Sequence, residues 1–121
     1  MRTRPDTISY LALPAGRVAI DEAGYLTEPQ NWTRDFAEIA ADREGIALTE
    51  LHWHVIGFMR DYLDEHGIAA DARFVLKFLG DRLGLDKSGA KQALFDLFPY
   101  GYVKQACKIA GMRQPRAWST G

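Results

Sequence analysis

Apolar positions near the N-terminus come in short runs that favour strands. The segments ISYLAL, RVAI and GYLT are rich in strand-forming residues, and the turn-like segments PAG and DEAG separate them. This spacing predicts a small antiparallel β meander of two or three strands within residues 7–27.

Beyond residue 30 the apolar positions recur with the period of α-helices. Five helices are predicted, over residues 33–44, 50–66, 72–83, 89–98 and 102–110. Four of them follow residues that can cap a first turn, namely Asn31 or Thr33, Thr49, Asp71 and Ser88. The five helices are predicted to end at Gly45, Gly67, Gly84, Pro99 and Gly111. A helical array therefore spans residues 31–111.

Together these elements predict an α+β fold that is mostly helical. The small N-terminal meander packs on an array of about five helices, and the helices over 72–83 and 89–98 form a helix-turn-helix-like pair. A single core is predicted from Trp53, Ile56, Phe78, Leu79, Leu94 and Leu97. By length, residues 1–121 are expected to form one domain.

The C-terminal residues 112–121 have no apolar periodicity. They contain Pro115 and one large aromatic side chain, Trp118, in an otherwise mostly polar stretch. This pattern predicts a mobile C-terminal arm, or a strap on the surface if Trp118 docks in an apolar groove.

Composition narrows the class of protein. Hydrophobic residues make up 47% and charged residues 26%, as in an ordinary globular domain. The apolar runs are far shorter than the roughly 18 residues of a membrane span, so no membrane association is expected. The N-terminus lacks the apolar run of a secretory signal. One cysteine excludes an internal disulfide, and we expect a cytoplasmic location.

The charge is unevenly spread although the net charge is only −1. Residues 1–70 carry 6 basic and 12 acidic side chains, whereas residues 71–121 carry 9 basic and 4 acidic ones. The basic half could meet an acidic protein, a nucleic acid or the acidic half of its own molecule. If the helix-turn-helix-like pair binds DNA, the nucleic-acid candidates are Lys87, Lys91 and Gln92, at the start of its second helix.

Ordinary enzyme and metal motifs are absent from the sequence. His52 and His54 are two residues apart, so a helix points them in different directions and they cannot share a metal ion. The glycines stand singly and form no phosphate-binding loop. We therefore identify no catalytic residue, no metal site and no cofactor.

Cys107 is the one residue with candidate thiol chemistry. Val103, Ala106, Cys107 and Ala110 share one apolar stripe, which predicts that the thiol faces inward as a packing group. Nearby Lys104 and Lys108 would favour a thiolate, whereas a position late in a helix opposes it.

Several segments resemble the DsrC/TusE sulfur-relay family, which includes the protein once called the gamma subunit of dissimilatory sulfite reductase. They are GYLTEPQNW, EGIALTELHWHVIGFMRDY, RFVLKFL and above all LFPYGYVKQACKIAGMRQP. The similarity runs from about Asp21 to Pro115. It implies a short β meander packed on helices, and cytoplasmic sulfur trafficking toward tRNA thiolation or to and from sulfite reductase.

The chain also departs from this family. Carriers in the family place the essential cysteine next to last on a C-terminal arm, at the position that Trp118 occupies here. Cys107 matches the inner cysteine of two-cysteine relatives, and Tyr102 replaces a family proline. Arg73 and Lys104 match basic residues near the family's arm.

The resemblance therefore implies a binding or regulatory protein without catalytic activity. Its partner would be a sulfur-metabolism protein, such as a sulfurtransferase or a sulfite-reductase-type complex. The partner-binding or arm-contacting candidates are Arg73, Lys104, Lys108 and Trp118. Two alternatives remain open: a sulfur carrier with a persulfide on Cys107, and a DNA-binding regulator of sulfur genes that uses the helix-turn-helix segment.

Overall fold

The structure is a computed structural model that describes residues 8–114. It contains a two-stranded antiparallel sheet and five helices, which confirms the predicted fold class. The elements are β1 (Ser9–Leu13), β2 (Gly16–Ile20), α1 (Arg34–Arg43), α2 (Glu50–His66), α3 (Ala72–Leu83), α4 (Lys87–Leu97) and α5 (Cys107–Ile109). A 3-10 turn (Pro29–Asn31) precedes α1, and a π-helical turn (Tyr102–Ala106) runs directly into α5.

The sheet is a hairpin with its turn at Pro14 and Ala15. Its register pairs Ser9 with Ile20 and Leu13 with Gly16. The third predicted strand contributes only a single bridge, between Leu26 and Ile20. The described part of the meander thus has two strands, within the range of two or three that the sequence predicted.

Side-chain caps set where the helices begin. Thr33, Thr49 and Asp71 accept hydrogen bonds from the first turns of α1, α2 and α3, as predicted. The predicted cap of α4 was wrong. Asp86 rather than Ser88 caps this helix, because its carboxylate accepts the Gly89 amide hydrogen at 2.8 Å and the helix starts two residues earlier.

The buried core joins the sheet, all five helices and the π turn. Ile56, Leu79, Leu94 and Leu97 are buried as predicted. Trp53 and Phe78 lie instead at the edge of the core, which corrects the prediction for both. Trp53 is half-buried under the Arg34 guanidinium, 3.8 Å from the ring centroid. Phe78 is half-buried and stacks on Phe58 at 4.7 Å.

The inward face of α2 is therefore shifted from the predicted one. Its buried residues are His52, Val55, Ile56 and Met59. A hydrophobicity pattern favours Trp53 over His52 for burial, but the His52 ring finds hydrogen-bond partners inside. No helix in residues 8–114 combines the length and the apolar character that a membrane crossing needs.

The last predicted helix, over residues 102–110, forms as two joined pieces. The Cys107 amide donates to the Tyr102 carbonyl, which is the five-residue bond of a π-helix. Gly111 then ends α5 with a φ of +82°, as the sequence predicted for this glycine. The π turn has no signature in the hydrophobic pattern.

Candidate functional site

Cys107 is a fully buried member of the hydrophobic core. Its side chain is 0% exposed, and Tyr102, Gln105 and Ala106 of the π turn are buried around it. The predicted inward-facing stripe is therefore present, with Val103 as its half-buried member. The thiol has no open path to solvent in this conformation.

Burial also decides the acid–base behaviour of this thiol. Burial raises the pKa of Cys107 to about 12, and the neighbouring Tyr102 hydroxyl only partly opposes this rise. The sequence-based expectation that Lys104 and Lys108 favour a thiolate was wrong. Lys104 is exposed, and the Lys108 ammonium is bound to the carboxylate of Glu44. At neutral pH the thiol is protonated, and a protonated thiol is a poor nucleophile.

Tyr102 is a site residue whose role the sequence did not reveal. It is buried, and its hydroxyl donates to the Ala70 carbonyl. Burial raises the pKa of Tyr102 above its usual value, and the nearby Cys107 adds to this rise. Tyr102 precedes Cys107 by five residues, and the π turn joins the two through the bond from the Cys107 amide to the Tyr102 carbonyl. The sequence signal was its replacement of a family proline.

Lys108 is tied into the molecule rather than free for a partner. Its ammonium lies 3.0 Å from a Glu44 carboxylate oxygen, and its side chain is only 18% exposed. The Gln105 amide donates to the other oxygen of Glu44 at 3.1 Å. Burial acts to raise the pKa of Glu44, but hydrogen bonds from Gln105 and Lys108 hold it below the usual value. Glu44 therefore binds residues on both sides of Cys107 in the sequence, Gln105 and Lys108.

Arg60 and Trp32 hold the end of that segment. The Arg60 guanidinium donates to the Ala110 carbonyl at 2.9 Å and to the Pro29 carbonyl at 2.9 Å. The Trp32 indole N–H donates to the Ile109 carbonyl at 2.9 Å, and Arg60 lies 4.8 Å from the Trp32 ring centroid. Neither contact was predicted, because the partners are distant in sequence. The direction in which the chain leaves the core is thereby fixed.

Three of the predicted basic candidates line one groove between α3 and α4. Arg73, Lys87 and Lys91 surround a cavity of about 500 Å³, together with Asp81 and Asp86. The groove therefore contains both positive and negative side chains.

The other candidates lie apart from this groove. Gln92 is a predicted nucleic-acid contact, but its amide is bonded to Asp96 at 2.8 Å. Lys104 is exposed on the π turn and is not among the residues that line the groove. Trp118 lies outside the described residues. Within residues 8–114 no cluster of three His, Cys, Asp or Glu side chains could hold a metal ion.

Comparisons with known proteins agree with this architecture. The family model for DsrC-like proteins matches residues 14–117. The sulfurtransferase TusE homolog of Haemophilus influenzae is 42% identical over 98 residues, which cover 81% of this chain and 89% of that protein. An NMR structure of Allochromatium vinosum DsrC superposes with a TM-score of 0.80 at 36% identity and covers 92% of this chain and 98% of that one. The oxidized gamma subunit of dissimilatory sulfite reductase from Archaeoglobus fulgidus gives a TM-score of 0.78 at 32% identity and covers 90% of this chain and 98% of its own.

Proposed function

Because the chain belongs to the family of DsrC-like proteins, we propose that it is a non-catalytic binding or regulatory partner in sulfur metabolism. The protein that it binds or controls would be a sulfurtransferase or a sulfite-reductase-type complex, the kinds of protein named among its relatives. The fold would supply the binding surface, and no cysteine of this chain would carry sulfur.

The observation that supports this proposal is the state of the single thiol. A sulfur carrier needs a thiolate that enters the active site of a donor and then that of an acceptor. Cys107 is the only cysteine of the chain, it is fully buried, and burial raises its pKa to about 12. A persulfide on Cys107 would require the core to open at every transfer.

The test compares sulfur loading of the native protein with its effect on a partner. The protein is incubated with a cysteine desulfurase, a relay sulfurtransferase and cysteine, and its intact mass is then measured. We expect no added sulfur on Cys107 under native conditions. Denatured protein treated with a thiol reagent serves as the positive control. Its labelling shows that the sulfur of Cys107 reacts once it is accessible.

The Cys107→Ala variant separates binding from sulfur carriage. Binding to the relay sulfurtransferase, or a change in that enzyme's transfer rate, should be the same in Cys107→Ala as in the wild type. A stoichiometric gain of one sulfur atom in the wild type, lost in Cys107→Ala together with the effect on the enzyme, would favour the persulfide carrier instead.

DNA binding remains a second candidate function, because Arg73, Lys87 and Lys91 line one groove of the helix-turn-helix-like pair. Against it, Asp81 and Asp86 line the same groove. Binding to a duplex should weaken steeply between about 50 and 200 mM salt if phosphates are contacted. Loss of that binding in Lys91→Glu but not in Lys104→Glu would support the DNA-binding function.

A further inference from the structure

The surface between α2 and α3 carries a groove of about 620 Å³ with aromatic walls. Residues of the two helices meet along it in three pairs: Tyr62 with Phe74, Phe58 with Phe78, and His54 with Arg82. The ring centroids of the two aromatic pairs are 5.5 and 4.7 Å apart, and the Arg82 guanidinium lies 3.3 Å from the His54 Nε2. We call this surface the aromatic groove. Its lining consists of these residues, apart from His54, together with Lys77 and Asp81.

The two ends of the aromatic groove differ in chemistry. Phe74 is 41% exposed at one end, where His66 lies 4.2 Å from the Tyr62 ring centroid with Glu65 beside it. Arg82 is exposed at the other end, and within residues 8–114 no carboxylate is paired with its guanidinium. A guanidinium over the face of an aromatic ring is attracted to it, most strongly where water is excluded. The two ends are therefore complementary, although on one molecule they lie about 12 Å apart along α3.

The other charges that line the groove are Lys77 and Asp81. They lie between its two ends, both are exposed, and they are 3.1 Å apart. Beside the groove, the Arg73 guanidinium lies 5.8 Å from the Phe74 ring centroid but is bound to Asp71 at 3.2 Å. Adjacent exposed side chains of opposite charge can each face the opposite charge on a second copy. The net charge of only −1 adds little repulsion between two copies.

We propose that the aromatic groove binds the same groove of a second copy of this chain, with the two α3 helices antiparallel. A two-fold axis at the Phe58–Phe78 pair makes this arrangement self-complementary. Phe74 lies four residues before Phe78 and Arg82 four residues after it, so each Phe74 faces Arg82 of the second copy. Asp81 lies two positions from the point opposite Lys77, about 3 Å along the helix axis, which a lysine side chain spans.

The size of the groove makes this dimer a weak one. Seven residues line the groove, whereas a standard interface has roughly 20–30 residues on each side. We therefore expect a Kd between about 10 μM and 1 mM. The inference goes beyond the function proposed above and does not depend on it, because the association of two copies needs no sulfur chemistry and no second protein.

Sedimentation equilibrium over this range of concentrations measures the dimer directly. Phe74→Ser should weaken association several-fold, because it removes the ring that faces Arg82 of the second copy. Phe95→Ser is the matched control and should leave association unchanged, since Phe95 is 52% exposed on α4 and does not line the aromatic groove. Circular dichroism and thermal unfolding show that each variant is folded.

Complementary charge variants test the two-fold arrangement. Lys77→Glu leaves two acidic side chains at the middle of the groove, and Asp81→Lys leaves two basic ones, so each variant alone should associate several-fold more weakly than the wild type. A 1:1 mixture of the two should associate more strongly than either alone, because acidic side chains then face basic ones. Asp81→Lys mixed with Lys91→Glu is the control, since it has the same total charge but the second change lies outside the aromatic groove.

Three results would overturn the proposal. The first is a protein that remains monomeric up to about 1 mM, which would assign the groove to a different partner. The second is a dimer that survives both Phe74→Ser and Lys77→Glu, which would mean that the copies meet through another surface. The third is a mixture of Lys77→Glu and Asp81→Lys that associates no more strongly than the control mixture, which would mean that the groove faces a different part of the second copy.

Discussion

His52 is an ionisable side chain that the core holds in its neutral form. Its Nδ1 accepts the Thr49 amide hydrogen at 3.0 Å, so Nε2 carries the proton and donates to the Leu97 carbonyl at 2.8 Å. Burial lowers the pKa of His52, and the bond to Leu97 only partly opposes this. A second proton on Nδ1 would face the Thr49 amide hydrogen and remove the bond that Nδ1 accepts from it, which leaves only the Thr49 hydroxyl oxygen, 2.8 Å away, as an acceptor for that proton.

This arrangement predicts a stability change in acid that depends on one residue. Because the pKa of His52 is lower in the folded than in the unfolded protein, the unfolded chain binds a proton first as the pH falls below about 6.5. The free energy of unfolding should therefore decrease below that pH, until the folded protein also takes up the proton. Urea titrations between about pH 7 and 5 measure it.

His52→Gln is the control for this prediction. Glutamine suits the same position of a capping box, so the start of α2 is retained while the titration is removed. We expect it to cost about 1 kcal/mol at neutral pH, from the lost bond to Leu97, and to flatten the pH dependence. An equally steep pH dependence in His52→Gln would assign the effect to other groups.

At the scale of single residues, the sequence predicted which way the Cys107 side chain points but not the pKa that its surroundings give it. The apolar stripe was enough to turn Cys107 inward. The pKa of its thiol could not be predicted, because charge proximity along the chain suggested Lys104 and Lys108 while the folded structure directs them elsewhere. Burial depends on the whole packing, and no local pattern encodes it.

Gly111 ends α5 under two separate constraints. Its φ of +82° lies in the left-handed region, where other residues are strained. A Cβ atom at Gly111 would also lie 2.4 Å from a Trp32 ring carbon, far inside van der Waals contact. Gly84 at the end of α3 has a φ of +68° but open space around it. The two glycines therefore separate backbone strain from steric overlap.

This difference predicts unequal costs for one substitution at two helix ends. Gly84→Ala should lower the free energy of unfolding by about 1–2 kcal/mol through backbone strain. Gly111→Ala should cost about 1–3 kcal/mol more, because the Trp32 ring must also move. Chemical denaturation of both variants measures the difference. Equal losses would mean that the Trp32 ring moves aside freely.

At the scale of elements, helix-capping residues allowed the ends of helices to be predicted from the sequence. The residue bounds of α2 and α3 were predicted from Thr49 and Asp71 with their terminal glycines. The start of α4 was not, since Asp86 and Ser88 can both cap and only the folded backbone selects one. The π turn was missed because one extra residue in a turn leaves the apolar spacing nearly unchanged.

For the whole molecule, the uneven distribution of charge along the sequence leads to a contact between the acidic half and the basic half. Glu44 belongs to the acidic half of the sequence, and Lys108 and Gln105 belong to the basic half. These side chains meet at the surface of the core, 3.0–3.1 Å apart. Part of the basic half therefore serves the fold itself, as one of the three sequence-based possibilities proposed.

A double-mutant cycle on Glu44→Gln and Lys108→Met measures what this ion pair contributes. We expect a coupling of about 0.5–3 kcal/mol, because the pair is partly shielded from water. The pKa of Glu44 is lowered in the fold, so this contribution should be present above its ordinary pKa of 4.5 and lost as the pH falls further. The exposed Lys77–Asp81 pair is the control, and its coupling should be smaller.

The long-range contacts of the site, between residues distant in the sequence, could not be predicted from the sequence. Glu44 and Lys108 are 64 positions apart, and Trp32 meets the Ile109 carbonyl across 77 positions. Periodicity gives each helix an inner face, but it does not say which distant face lies opposite. Periodicity and the family resemblance each predicted the architecture, whereas the partners of Arg60 and Trp32 required the structure.

Because the single thiol is enclosed by the core, its modification records how often the molecule opens. A reagent reaches Cys107 only in rare conformations that expose the centre of the helical array. When reclosing is faster than modification, the observed rate divided by that of a free thiol gives the equilibrium population of the open form. The protein thus carries its own reporter of conformational fluctuation, at one position and without any introduced label. Anything that binds only the closed form should slow that modification in proportion to its occupancy.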